Sequence, residues 1–219
     1  TWAGPEIAVA TTKAYSTQLC VVYLIALYMA RQLGTLSDEA YANYVDELQQ
    51  LPDKIEQVLQ NKAGIQYFAS QYFNCHDIFF IGRNYDYAMS LEGSLKLKEI
   101  SYIHSEAYAA GELKHGPISL IEEGTLVVAL ATQDQLFDKM VSNIKEVKAR
   151  GAVVLGVTTE KHKEIEQVAD YEFYIPNASD IMLPSLAVVP LQLFSYYIAS
   201  MKGCDIDKPK NLAKSVTVE

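Results

Sequence analysis

The chain is poor in what several specialised classes of protein require. Its cysteines, Cys20, Cys75 and Cys204, are odd in number, scattered and without metal-ligand spacing. That argues against a disulfide framework or a zinc module and fits a reducing, cytoplasmic setting. Positive charge is also scarce: 18 Lys and Arg stand against 27 Asp and Glu, a net charge of −9. With no basic patch or arginine-rich run, a nucleic-acid surface is not expected. An anionic substrate would have to be held by locally placed donors, because the overall field repels it. The apolar run from Leu19 to Ala30 falls short of the roughly 20 residues a membrane span needs. It sits inside a helical pattern and reads as a buried helix. No signal-peptide layout opens the chain.

What is present is an α/β pattern. Half of the 219 residues are hydrophobic, enough for a sizeable core. Thr12 to Leu33 lacks Pro and Gly and predicts one long helix ending at Gly34. A second, charged helix follows the N-cap Ser37, with a break or a new first turn expected at Pro52. Short apolar runs then alternate with helical stretches. The runs are Ile78–Gly82, Thr125–Ala131, Ala152–Thr158 and Tyr171–Pro176, and the helices are Tyr87–Tyr102, Gln135–Arg150 and Glu160–Val168. A last apolar helix spans about Pro184 to Lys202. This alternation predicts a three-layer αβα sandwich around a parallel, doubly wound (flavodoxin-like) sheet.

Shifting the chain by 174 residues aligns Glu6-Ile7 with Asp180-Ile181, Thr11 with Ser185, Gln18-Leu19 with Gln192-Leu193, and Tyr23 with Tyr197. Two amphipathic helices can agree this far by chance; read instead as a duplication, the match gives the expected organisation. Residues 1–34 end a first lobe, 35–62 connect, 63–203 form a complete second lobe, and 204–219 are a C-terminal tail.

Chemistry concentrates in two places. Glu92, Lys96 and Glu99 stand at i, i+4 and i+7, which stacks two carboxylates and an amine on one helical face, with Leu91, Leu95 and Ile100 expected to pack on the other. Spacing of this kind also suits a solvated face with ordinary ion pairing. The strand ending in Gly82-Arg83-Asn84 feeds this helix, and ligands of doubly wound sheets bind at such strand ends. His115 follows in a short ELKH loop bracketed by Gly111 and Gly116-Pro117, where an exposed imidazole can be held in place. The second place is the tail NLAKSVTVE. Its Lys214 lies among apolar and β-branched residues that could pack and desolvate it into a usable nucleophile.

AGPEIAVATTKAYSTQL, LEGSLKLKEISYIHSEAYAAGELKHGP and KPKNLAKSVTVE together resemble the isomerase (sugar isomerase, SIS) part of the glutamine–fructose-6-phosphate aminotransferase, or glucosamine-6-phosphate synthase, family. The resemblance covers essentially the whole chain. It implies two SIS lobes behind a glutaminase domain, no cofactor and no metal. The activity implied is conversion of fructose 6-phosphate and glutamine-derived ammonia to glucosamine 6-phosphate, in a cytoplasmic homodimer. By motif position, Glu99 would shuttle a proton between C1 and C2, and His115 would assist ring opening in the neighbouring subunit's site. Lys214 would form a Schiff base with the ketose. Glu92 and Lys96 would hold sugar hydroxyls, and Val9 and Ala213 would contact the sugar.

The departures bear on what the chain can do alone. It carries no glutaminase, and the loop after TLVVALA reads Thr132-Gln133-Asp134-Gln135 where the family's first lobe carries a phosphate-binding Ser/Thr cluster. This lobe is therefore not expected to hold the phosphate, and the chain alone is expected to be inactive. A non-catalytic phosphosugar-binding regulatory SIS module is the alternative reading. A dimerising scaffold built on Tyr23–Tyr28 and Tyr196-Tyr197 is a third.

Overall fold

The computed structural model describes residues 1–214. The expected packing of Val216, Thr217 and Val218 lies outside them. Helix α1 (Lys13–Gln32) leads to α2 (Asp38–Gln60) and α3 (Lys62–Tyr72). Then come β1 (Asp77–Gly82), α4 (Tyr85–Ser101), β2 (His104–Ala109), β3 (Leu126–Ala131) and α5 (Phe137–Lys148). The chain closes with β4 (Val153–Thr159), β5 (Tyr171–Ile175) and α6 (Leu183–Met201). The five strands form one wholly parallel sheet in the order β2-β1-β3-β4-β5.

Strand alternation sets the two cores. Ile78, Phe80, Leu126, Val128, Leu155 and Val157 turn to one face, where α3, α4 and α6 cover them with Phe68, Leu97 and Phe194. Phe79, Ile81, Val127, Ala129 and Val154 turn to the other, under Met140, Ile144 and Val147 of α5. Both faces are thus buried, which is why the central strands read as unbroken apolar runs. Helix α6 is long and apolar enough to span a membrane, but 72% of that stretch is buried against the rest of the chain, as a core helix is.

Several expectations need correction. β2, sequence HSEAYA, is an edge strand with no apolar run, and the sequence did not suggest it. Pro52 does not break α2, which runs through it. α3 is a separate helix beyond Asn61. Glu160–Val168 contains only a 3-10 turn, Lys163–Gln167, and the ELKH loop is a 3-10 turn, Ala110–His115. On α4, Leu91 and Leu95 face solvent, while Met89, Leu97 and Ile100 pack with small neighbours Ser90, Gly93 and Ser94. Gly93 is required there: a Cβ would stand 2.8 Å from Leu191 Cδ1 of α6 and 3.1 Å from the Phe80 ring. Ser37 does cap α2, accepting the Ala40 N–H at 3.2 Å.

Helix α1 is unlike the rest. It buries Tyr23, whose hydroxyl lies 3.1 Å from Ser185 Oγ of α6, and Leu27. Val22, Leu24, Ile25, Tyr28 and Met29 are exposed along it.

Candidate active site

The polar face of α4 turns inward. Lys96 is 5% exposed, and its Nζ lies 2.5 Å from Glu99 Oε2 and 3.7 Å from Glu92 Oε1. Two carboxylates around one ammonium leave a surplus negative charge in a poorly hydrated setting. Burial pushes the Glu92 carboxyl above its ordinary range, the Lys96 ammonium opposes that, and Glu99 reinforces it. The Tyr15 phenol of α1, 3.7 Å from Met89 Sδ, is pushed up to about 12 by burial and by the nearby Glu92.

Two terminal segments converge on the last turns of this helix. The Val9 N–H donates to the Asp207 carbonyl at 2.9 Å, joining residues 6–12 to the tail. Ala10, Ile100 and Ala199 form a small buried cluster with Cys204 and Ile206 against it. Lys214 ends this path, its Nζ 3.0 Å from the Ala8 carbonyl, 3.5 Å from that of Val9 and 3.7 Å from Glu6 Oε2. Glu6 in turn accepts the Thr12 N–H at 2.6 Å. Desolvation lifts the Glu6 carboxyl, but the Thr12 N–H and the Lys214 ammonium outweigh it, so the net shift is downward. Between helix and terminal segments lies a cleft of about 200 Å³ lined by Ala8, Ala10, Lys96, Ile100, Gln192 and Tyr196. Gln192 Nε2 is buried there with no hydrogen-bond partner among the described residues.

Lys214 thus reaches residues 6–9, whose continuation packs against the helix of the two carboxylates, with Ala213 exposed beside the lysine. The expected desolvation of Lys214 is not met among the described residues, since its side chain is 49% exposed. Glu6 was not singled out from the sequence, although the 174-residue shift had already paired it with Asp180.

His115 stands elsewhere. Helix α4 leaves the carboxyl end of β1 and runs back, so Glu99, near its last turn, lies toward the amino ends of the strands. His115 follows the carboxyl end of β2, exposed, with Glu112 at 4.0 Å. Within one chain the two sit at opposite ends of the sheet.

The carboxyl ends of β1 and β3, where the strand order reverses, are closed by the lobe's own groups. Asp86 accepts the Thr132 N–H at 2.8 Å and its hydroxyl at 2.6 Å. Gln133 donates to the Arg83 carbonyl at 2.9 Å and accepts from Asn84 at 3.1 Å, and Asp134 pairs with Lys161 and His162. Asn84, at φ 51°, and Gly82, where a Cβ would meet Asp86 backbone at 2.4 Å, make this turn tight. Among the described residues no group of three or more His, Cys, Asp or Glu is placed to hold a metal ion.

A parallel doubly wound sheet in this strand order, with an acid–amine–acid helix beside one edge, defines a flavodoxin-like αβα lobe that carries acid–base groups. Residues 71–202 match the SIS domain family, and the chain belongs to it. Over all 219 residues it is 61% identical to the glutamine–fructose-6-phosphate aminotransferase [isomerizing] of Caldanaerobacter subterraneus and 58% identical to that of Clostridium tetani. The chain spans 36% of the length of each of these relatives. The C-terminal domain of glucosamine-fructose-6-phosphate aminotransferase from Francisella tularensis superposes with a TM-score of 0.91 at 38% identity, over 95% of this chain and 59% of that one.

Proposed function

We propose that this chain is the second isomerase lobe and tail of an enzyme that converts fructose 6-phosphate and glutamine-derived ammonia to glucosamine 6-phosphate. The observation that carries the reading is the approach of a tail lysine, Lys214, to residues 6–9 beside the helix that bears Glu92, Lys96 and Glu99. The similarity to full-length aminotransferases supports it.

In this reading the Lys214 amine adds to the C2 carbonyl of the open-chain ketose and loses water to give an imine. Ammonia then displaces the lysine. Glu99 removes a proton from C1 and returns it to C2, turning the C2 imine that ammonia leaves into the 2-amino-aldose. Lys96 balances the carboxylate charge and, with Glu92, holds sugar hydroxyls; Val9 and Ala213 line the sugar. His115, exposed and far from Glu99 of its own chain, serves the site of a second copy, which makes the working unit a homodimer.

Residues 1–34 belong to a first SIS lobe, residues 35–62 connect, 63–203 are the second lobe, and 204–219 bring in the lysine. The exposed apolar face of α1 supports a partner lobe there, as does the greater length of the relatives. The phosphate is held in that first lobe, because the Thr132–Asp134 loop here is committed to Asp86, Arg83 and Lys161. The glutaminase that supplies ammonia lies in the same full-length chain, and the enzyme works in the cytoplasm. A regulatory sensor of the same fold would need neither a base nor a lysine beside it.

An assay of glucosamine 6-phosphate formation tests this. The full-length protein is expected to make the product, its Glu99→Gln variant to be slowed at least a hundredfold, about the usual contribution of a positioned general base, and the present chain alone to be inactive. Full activity of the chain alone would overturn the proposed division between lobes.

A further inference from the structure

The residue that closes α4 is Tyr102, and it adopts the left-handed conformation with φ 62° and ψ 15°. Glycine normally occupies that position at a helix end, with asparagine a tolerated second. Among the described residues, two of the three non-glycine residues at positive φ are indeed asparagines, Asn84 and Asn211; Tyr102 is the bulky exception. A strained aromatic residue kept at such a site points to a use for its side chain.

That side chain reaches the tail. The Tyr102 hydroxyl accepts the Lys210 N–H at 2.8 Å, and the Lys210 ammonium lies 4.3 Å from the ring centre. Just upstream, the Lys208 N–H is tied to Asp205 Oδ1 at 2.9 Å, so the tail arrives at Tyr102 already turned. Tyr102 follows Glu99 by three residues, and Lys214 follows Lys210 by four, a reach of at most about 14 Å.

We propose that Tyr102 is a positioning residue: it clasps the tail at Lys210 and thereby fixes how the Lys214 amine is presented relative to the Glu99 carboxylate on the same helix. This rests on the reading of Lys214 as the Schiff-base amine. An otherwise fraying terminus is held by a hydrogen bond and a cation–π contact from the helix that carries the base.

Two variants of the full-length protein separate the clasp from general stability. Tyr102→Phe keeps the ring and removes the acceptor; Tyr102→Gly removes both contacts but suits the left-handed backbone, so its melting temperature is expected not to fall. Amide exchange at Lys210 should accelerate about threefold to tenfold in the Phe variant, the effect of losing one net hydrogen bond, and further in the Gly variant. Borohydride trapping of fructose 6-phosphate on Lys214 should slow in the same order at saturating sugar, with sugar affinity unchanged. Unchanged exchange refutes the clasp. Faster exchange with wild-type trapping refutes the positioning role. If wild-type protein traps no ketose on Lys214, the Schiff-base reading fails and the positioning role fails with it, whatever the exchange data show.

Discussion

Lys96 Nζ lies 2.5 Å from Glu99 Oε2, and the lysine is buried while the glutamate keeps one edge toward solvent. The pair therefore anchors the carboxylate without enclosing it, leaving room for a reacting partner. Replacing Lys96 with Met removes the ammonium that two carboxylates share. Loss of the charged hydrogen bond to Glu99 is expected to cost about 1.5–3 kcal/mol of unfolding free energy, measured in urea. Product formation by the full-length protein should fall by more than that stability loss explains. A stable variant with normal activity would remove Lys96 from the site.

Glu92 makes a prediction about pH. Burial raises its carboxyl above the ordinary 4.5, so the native chain holds a proton that the unfolded chain has already released. The slope of stability with pH is then negative: the contribution is complete below the unfolded value and is lost as pH rises through the higher folded one. Glu92→Gln removes this term. Urea midpoints between about pH 4 and pH 7 should show wild-type protein losing ground to the Gln variant as pH rises. A wild type that gains on the variant over that interval would contradict the assignment.

The Asp86–Thr132 clamp predicts a different kind of loss. Asp86 accepts both the amide and the hydroxyl of Thr132 in a buried setting. Asp86→Ala leaves both donors unpaired and is expected to destabilise by about 2–4 kcal/mol, whereas Asp86→Asn, able to keep one acceptor and one donor in place, should lose clearly less. Thermal unfolding of the two variants compares them directly.

At Gly93 the packing of α4 on α6 and β1 leaves no space for a methyl group, with Leu191 Cδ1 at 2.8 Å from the position it would take. Gly93→Ala gains helix propensity but forces the neighbours apart, and a net loss of about 1–3 kcal/mol is expected in chemical denaturation. Since α4 carries the site, activity should fall with it. A neutral Gly93→Ala would mean that the helix can shift without consequence.

Much of this architecture is written in local patterns, and the misses have physical causes. β1, β3 and β4 announce themselves because burial on both faces makes their cores apolar without interruption, while β5, at the other edge, is marked by its aromatic and β-branched residues on either side of the exposed Glu172. β2 hides because an edge strand half open to water needs no such run, and its His104 and Glu106 look like loop residues. The spacing of Glu92, Lys96 and Glu99 disclosed a shared face but not its direction. Leu91 and Leu95 suggested that the charged side faced water, whereas small residues, Ser90, Gly93 and Ser94, supply the tightly packed side. Nothing local marked Tyr102, whose grip on the tail depends on Lys210, more than a hundred positions away.

Two amines compete for the central role, and one measurement separates them. Lys96 is buried and committed to Glu92 and Glu99, while Lys214 is half exposed on the tail against the carbonyls of Ala8 and Val9. Borohydride reduction of the full-length protein with fructose 6-phosphate, followed by peptide mapping, should place the sugar on Lys214 and leave Lys96 unmodified. A reduced adduct on Lys96, or none on either lysine, would contradict the account.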